Sequence, residues 1–164
     1  MWTIHKEIRS VARQTGLGSD VLRRLDERRE HKVLQDVKRH FLTDADAFSW
    51  WECFRYASAS RWLKRPHTLL PALCPSEGKK VWFIPCGQDE GVYDAFPETA
   101  ARLIDACPAI SAYAVADKKL AWMFVEKPDH RLFATGAGAI ARLGAIGDVP
   151  LAPDLKPIDT RGRP

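Results

Sequence analysis

No apolar stretch of the 164-residue chain approaches the ~20 residues that a membrane-spanning helix needs. The N-terminus, MWTIHKEIRS, alternates charged and apolar residues and does not read as a secretory signal, so a cytoplasmic protein is expected. The four cysteines, Cys53, Cys74, Cys86 and Cys107, include no C-x-x-C and no Cys/His pair at zinc spacing. Cys53, Cys86 and Cys107 have apolar neighbours and read as reduced, buried thiols, and no metal site is expected. There is no G-x-S-x-G, no G-x-x-x-x-G-K-[ST] and no H-E-x-x-H. GAGA at 136–139 lacks the third glycine of a dinucleotide fingerprint, and no cofactor is expected.

What is present is the composition of a soluble globular protein, 46% hydrophobic and 28% charged, long enough to bury one core. The charge is uneven. Residues 1–40 hold ten Lys or Arg against six Asp or Glu, and the remainder holds fifteen of each, so the net +4 belongs to the N-terminal segment. Such a segment suits an acidic partner, nucleic acid or protein, or simply a solvated helix face.

Ile4, Ile8, Val11 and Ala12 recur at helical spacing and predict a first helix over 3–15, broken by Gly16-Leu17-Gly18. Ser19 is placed to cap a second helix over 20–42, with Leu22, Leu25, Val33, Val37 and Phe41 as its apolar stripe. Residues 44–65 hold Trp50, Trp51 and Trp62 and carry only a weak pattern: a short helix or turn over 45–52, then a strand over 53–60. KKVWFIPC (79–86) reads as a buried strand, and Pro97 opens a helix that Pro108 ends. SAYAVAD (111–117), LAWMFVE (120–126) and RLFATG (131–136) read as three strands joined by hairpins, followed by a helix over 137–145. The pattern implies an α+β fold, a mostly antiparallel sheet with an N-terminal helical pair packed on one face. A single domain is expected over 1–146, with 147–164 a Pro-rich, poorly ordered tail.

Two polar clusters stand out. Glu126, Asp129 and His130 lie between two strands, where an acid–base site would need them held at hydrogen-bond reach. A Pro-containing turn also favours such residues for solvation alone, and the hairpin reading is preferred. QDEGVYD gathers Asp89, Glu90 and Asp94 in one loop, too few oxygen ligands for a calcium loop but able to face a basic partner.

IRSVARQTGLGSDVLRRLDE (8–27) resembles the helix-turn-helix of MerR-type transcription regulators. Val11, Ala12, Arg13, Thr15, Gly16, Leu17, Asp20, Leu22 and Arg23 match in order. The resemblance implies DNA binding through a second helix presenting Arg23, Arg24 and Arg28, in the segment 8–29. The wing expected next is replaced by RREHKVLQDVKRHFL.

A wider pattern is carried by Trp50, Trp51, Glu52, Val81, Trp82, Phe83, Ile84, Tyr113, Val115, Asp117, Lys118, Trp122, Glu126, Leu132 and Gly136. It resembles a family of small single-domain bacterial proteins of unassigned activity, similar to the immunity proteins of toxin systems. That family carries E-N-H-H where this chain has E-K-P-D-H, with only the Glu in register. The resemblance implies a non-enzymatic domain that binds and neutralises a protein toxin or effector. Trp50, Trp51, Arg61 and Trp62, with the acidic Asp89, Glu90 and Asp94, are the candidate contact residues. The alternative is a DNA-binding regulator, which would expose Arg23, Arg24 and Arg28 together on a protruding helix.

Overall fold

VWFIP, YAVA and MFVE show no polar–apolar alternation because both of their faces are covered. The computed structural model describes residues 3–86 and 91–146; Asp89, Glu90 and the tail 147–164 lie outside the described residues. Among these, seven strands form one antiparallel sheet: β1 (Leu22–Arg24), β2 (Ser58–Trp62), β3 (Val81–Pro85), β4 (Tyr93–Ala95), β5 (Tyr113–Ala116), β6 (Met123–Glu126) and β7 (Arg131–Thr135). Their order is β1-β4-β3-β5-β6-β7-β2. The helices are α1 (Ile4–Gln14), α2 (Glu27–Phe41), α3 (Leu70–Leu73), α4 (Pro97–Ala106) and α5 (Ala137–Gly144). The α+β class, the antiparallel sheet and the N-terminal helix pair are therefore as the sequence implied. None of the described helices is long and apolar enough to cross a membrane.

Successive strand residues enter opposite cores. Val81, Phe83, Tyr113 and Val115 join Ile8 of α1 and Ala100, Leu103 and Ile104 of α4. Trp82, Ile84, Ala114 and Ala116 join Val37 and Phe41 of α2, with Trp50. The N-terminal pair is thus divided between the two faces. Each Phe or Leu buried this way contributes about 1.5–3 kcal/mol.

The second helix begins later than the sequence suggested. Asp26, not Ser19, caps it by accepting from the Arg29 amide at 3.0 Å. Leu22–Arg24 instead pairs with β4 in the register Leu22↔Ala95, Arg23↔Asp94, Arg24↔Tyr93. The reason is burial. A helix would put Leu22 and Leu25 on one face, whereas the extended chain sends Leu22 into one core and Leu25 into the other. The strand expected over 53–60 is likewise displaced to Ser58–Trp62, and Trp50–Glu52 is a single 3₁₀ turn. Cys74 and Cys107 are buried, while Cys53 and Cys86 are half-buried; all four are free thiols.

Candidate functional site

β6 ends at Glu126, directly opposite Tyr113 at the start of β5, and the hairpin 127–130 then returns the chain into β7. The Tyr113 hydroxyl donates to Oε1 of Glu126 at 2.8 Å, and His130 Nδ1 lies 3.3 Å from Oε2. The His130 ring is brought back over the carboxylate because its φ is +68°, a left-handed conformation that closes the hairpin. Asp129 does not join them. Its oxygens take the Arg131 amide at 3.1 Å and the Lys127 ammonium at 3.3 Å, which shapes the turn. Of Glu126, Asp129 and His130, then, two form a pair and the third shapes the hairpin turn.

A second imidazole stands on the same side. His67, in the 3₁₀ turn Pro66–Leu69, has Nε2 at 3.1 Å from Oδ1 of Asp105 at the end of α4, and Arg65 pairs with the same oxygen. Burial pushes the Glu126 carboxyl above the ordinary range, opposed by the bonds from Tyr113 and His130 and by the nearby charge of His67. Asp105 is held below its usual range by the hydrogen bond from His67, then by Arg65. Burial drives the Tyr113 phenol well above its usual value, so it is a donor here and not a nucleophile. Among the described residues no group of three or more His, Cys, Asp or Glu is arranged to hold a metal ion.

The tryptophans part ways. Trp50 is fully buried, so its proposed role as a contact residue is corrected: the 3₁₀ turn points it into the core beside α2. Arg61 is corrected as well. It is only 5% exposed and donates from Nη1 to the carbonyls of Leu143 (3.3 Å) and Ile146 (2.8 Å), closing the C-terminal end of α5. Trp51 and Trp62 remain half-buried at the surface. Lys127 Nζ stands 5.9 Å from the Trp51 ring, and the Arg131 guanidinium lies 4.1 Å over Trp62 while donating twice to Ser60 Oγ.

The sequence reading passed over Phe48 and Tyr56. They are the exposed large hydrophobic residues among those described, 67% and 53% exposed, in the same loop as Trp51. Their signal was present. Aromatic residues in a stretch with neither helical nor strand period have no face to bury them.

Asp94 is not a loop residue. It sits buried in β4 in a close ion pair with Lys118 (2.6 Å), whose ammonium also stands 4.5 Å over the Trp82 ring. The N-terminal arginines are split between elements: Arg23 and Arg24 on β1, and Arg28 in the first turn of α2. The protruding helix that would present all three is therefore absent from this segment. Arg24 is locked by two bonds to Glu30, at 2.9 and 3.0 Å. Burial works to raise the Glu30 carboxyl, but Arg24 and the Val92 amide outweigh it and hold it low.

No protein-family model, no curated protein and no solved structure matches the chain.

Proposed function

We propose that this protein is a non-enzymatic binding domain that docks onto and masks a partner protein, as an immunity protein masks its toxin. The observation that carries the reading is the pair of exposed aromatics, Phe48 and Tyr56, in the loop that also holds half-buried Trp51. Exposed aromatic residues cost solvation in an isolated monomer and are the side chains that dominate protein–protein contacts. Lys127, beside the Trp51 ring, supplies a cation at the edge of this surface. A polar rim around an aromatic centre is the arrangement that partner interfaces favour.

The test uses a photoreactive analogue placed at position 48 or 56, with cross-linking in cells that produce the full chain. A partner cross-linked at either position, lost when the other position is changed to Ser, supports the reading. Co-expression with that partner, if it is toxic, must restore growth for the masking role to stand. Cross-linking from a control position such as Lys79 to the same partner with equal yield would remove the aromatic loop from the argument.

A further inference from the structure

Two clefts flank the edge strand β1, and Arg24 lines both of them. One, about 150 Å³, is bounded by His5, Arg9 and Tyr93 over an apolar floor that includes Ile8 and Leu22. The other, about 190 Å³, is bounded by Arg23, Arg29 and Asp26 at the start of α2. Arg23 lines only the second cleft, whereas Arg24, at the sheet edge, reaches both. The rim of the two clefts carries four guanidiniums, Arg9, Arg23, Arg24 and Arg29, against two carboxylates, Asp26, which caps α2, and Glu30, which pairs with Arg24, so the phosphate contacts fall to Arg9, Arg23 and Arg29.

The site is built rather than incidental. Arg24 is fixed by its paired bonds to Glu30, and Glu30 is itself held by the Val92 amide. The His5 ring is buried and bonded to the Tyr93 hydroxyl at 2.8 Å, which fixes the cleft wall. Arg29 lies 5.8 Å over the Trp82 ring, a contact that limits where its guanidinium swings. Guanidinium groups match phosphate oxygens two at a time, and each cleft has room for one such oxyanion group.

We propose that this arginine-lined edge binds the sugar–phosphate backbone of a nucleic acid, with no reading of the bases. A protein partner fits it less well, because protein interfaces deplete charge at their centre, whereas nucleic-acid interfaces are strongly positive. Neither Phe48 nor Tyr56 lines either cleft, so the aromatic anchors of a protein contact lie elsewhere. The contacts come from an edge strand and two helices, and no recognition helix is involved. Phosphate contacts of this kind position a nucleic acid without specifying its sequence.

The experiment is fluorescence anisotropy of the full chain with two labelled single-stranded oligonucleotides of unrelated sequence, from about 50 to about 200 mM KCl. The two sequences are expected to bind equally and to weaken steeply with salt, in proportion to the phosphates contacted. The triple variant Arg9→Glu, Arg23→Glu and Arg29→Glu is expected to lose at least about tenfold in affinity, and the Gln version of the same triple to lose less. Arg24 is left intact because it holds Glu30. The matched variant Lys64→Glu, Lys79→Glu and Lys119→Glu carries the same charge change away from the clefts and is expected to retain binding. Circular-dichroism melting confirms that each variant folds. The proposal is overturned if the wild type does not bind at the lowest salt, or if the lysine variant loses as much as the arginine variant. It is equally overturned if a poly-glutamate peptide displaces the oligonucleotide at comparable concentration, which would make the partner an acidic protein segment.

Discussion

The Tyr113 hydroxyl reaches across from β5 to donate a 2.8 Å hydrogen bond to Oε1 of Glu126, and both side chains are buried. A carboxylate taken out of water in this way needs such donors, and Tyr113 and His130 supply them. Even so, burial prevails and the Glu126 carboxyl is harder to ionise in the folded chain than in the unfolded one. This balance has a measurable consequence.

Because the folded-state value is raised above the ordinary 4.5, the folded chain holds the proton more tightly than the unfolded chain over the interval between the two. The protonated carboxyl therefore favours folding below about pH 4.5, and that contribution is lost as pH rises through the folded value. Glu126→Gln keeps the shape and removes the titration. Its stability relative to wild type is expected to grow over that interval, read from urea midpoints across pH. A difference that stays flat with pH would refute the assignment.

Tyr113→Phe removes the donor and leaves Oε1 of Glu126 without it in a buried site. A loss of about 1–3 kcal/mol is expected from the urea midpoint near neutral pH. In the Glu126→Gln background the same change should cost less, because the group left behind no longer carries a charge. Equal costs in the two backgrounds would mean that the bond is not coupled to the carboxylate.

Gly136 and Gly16 both have positive φ, +93° and +70°, but their surroundings differ. A Cβ at Gly136 would meet the Ala121 carbonyl and lie 2.8 Å from Trp122 Cα, whereas at Gly16 it would meet nothing within 4 Å. Gly16→Ala is expected to cost about 1 kcal/mol, from backbone strain alone. Gly136→Ala is expected to cost about 3 kcal/mol, because neighbouring backbone must move as well. Denaturant midpoints at constant slope separate the two.

Trp50 and Phe48 make a stability-against-binding contrast. Trp50→Ala empties a fully buried site and should cost about 3–5 kcal/mol. Phe48→Ser and Tyr56→Ser change exposed side chains and should leave stability within about 0.5 kcal/mol. The proposed docking role requires these two to lose the partner while melting as the wild type does.

Arg61→Ala should unlatch the end of α5, since the Ile146 carbonyl loses the Arg61 donor and the Leu143 carbonyl is left with the long bond from the Ile146 amide at 3.4 Å. Amide hydrogen exchange is expected to accelerate selectively in the last turn of α5, with a global cost of about 2 kcal/mol. Uniform protection across α5 in the variant would show that the cap is not what holds this turn.

Several elements were written in local pattern. Val81–Pro85 and the three strands from Tyr113 to Thr135 are apolar runs set off by turn residues, and Pro97 marks the first turn of α4. The closeness of Glu126 and His130 was visible too, since they stand four positions apart across one turn. The pairing of His67 with Asp105 was not, because the two lie 38 positions apart with three elements between them.

Sequence by itself determined which segments must bury their side chains, and so where the central strands and the amphipathic helices lie: that information is carried by the spacing of apolar residues along the chain. Tertiary structure alone decided that LRR is a strand rather than the start of a helix, and it moved the strand expected over 53–60 to SASRW, since each segment pairs where β4 or β7 offers an open edge. It also decided that Trp50 is core and Trp51 surface, that Arg61 closes a helix, and that Arg9, Arg24 and Arg29 meet around one edge. Edge pairing and capping satisfy hydrogen-bonding groups wherever the folded chain brings them near, and that proximity has no period in the sequence.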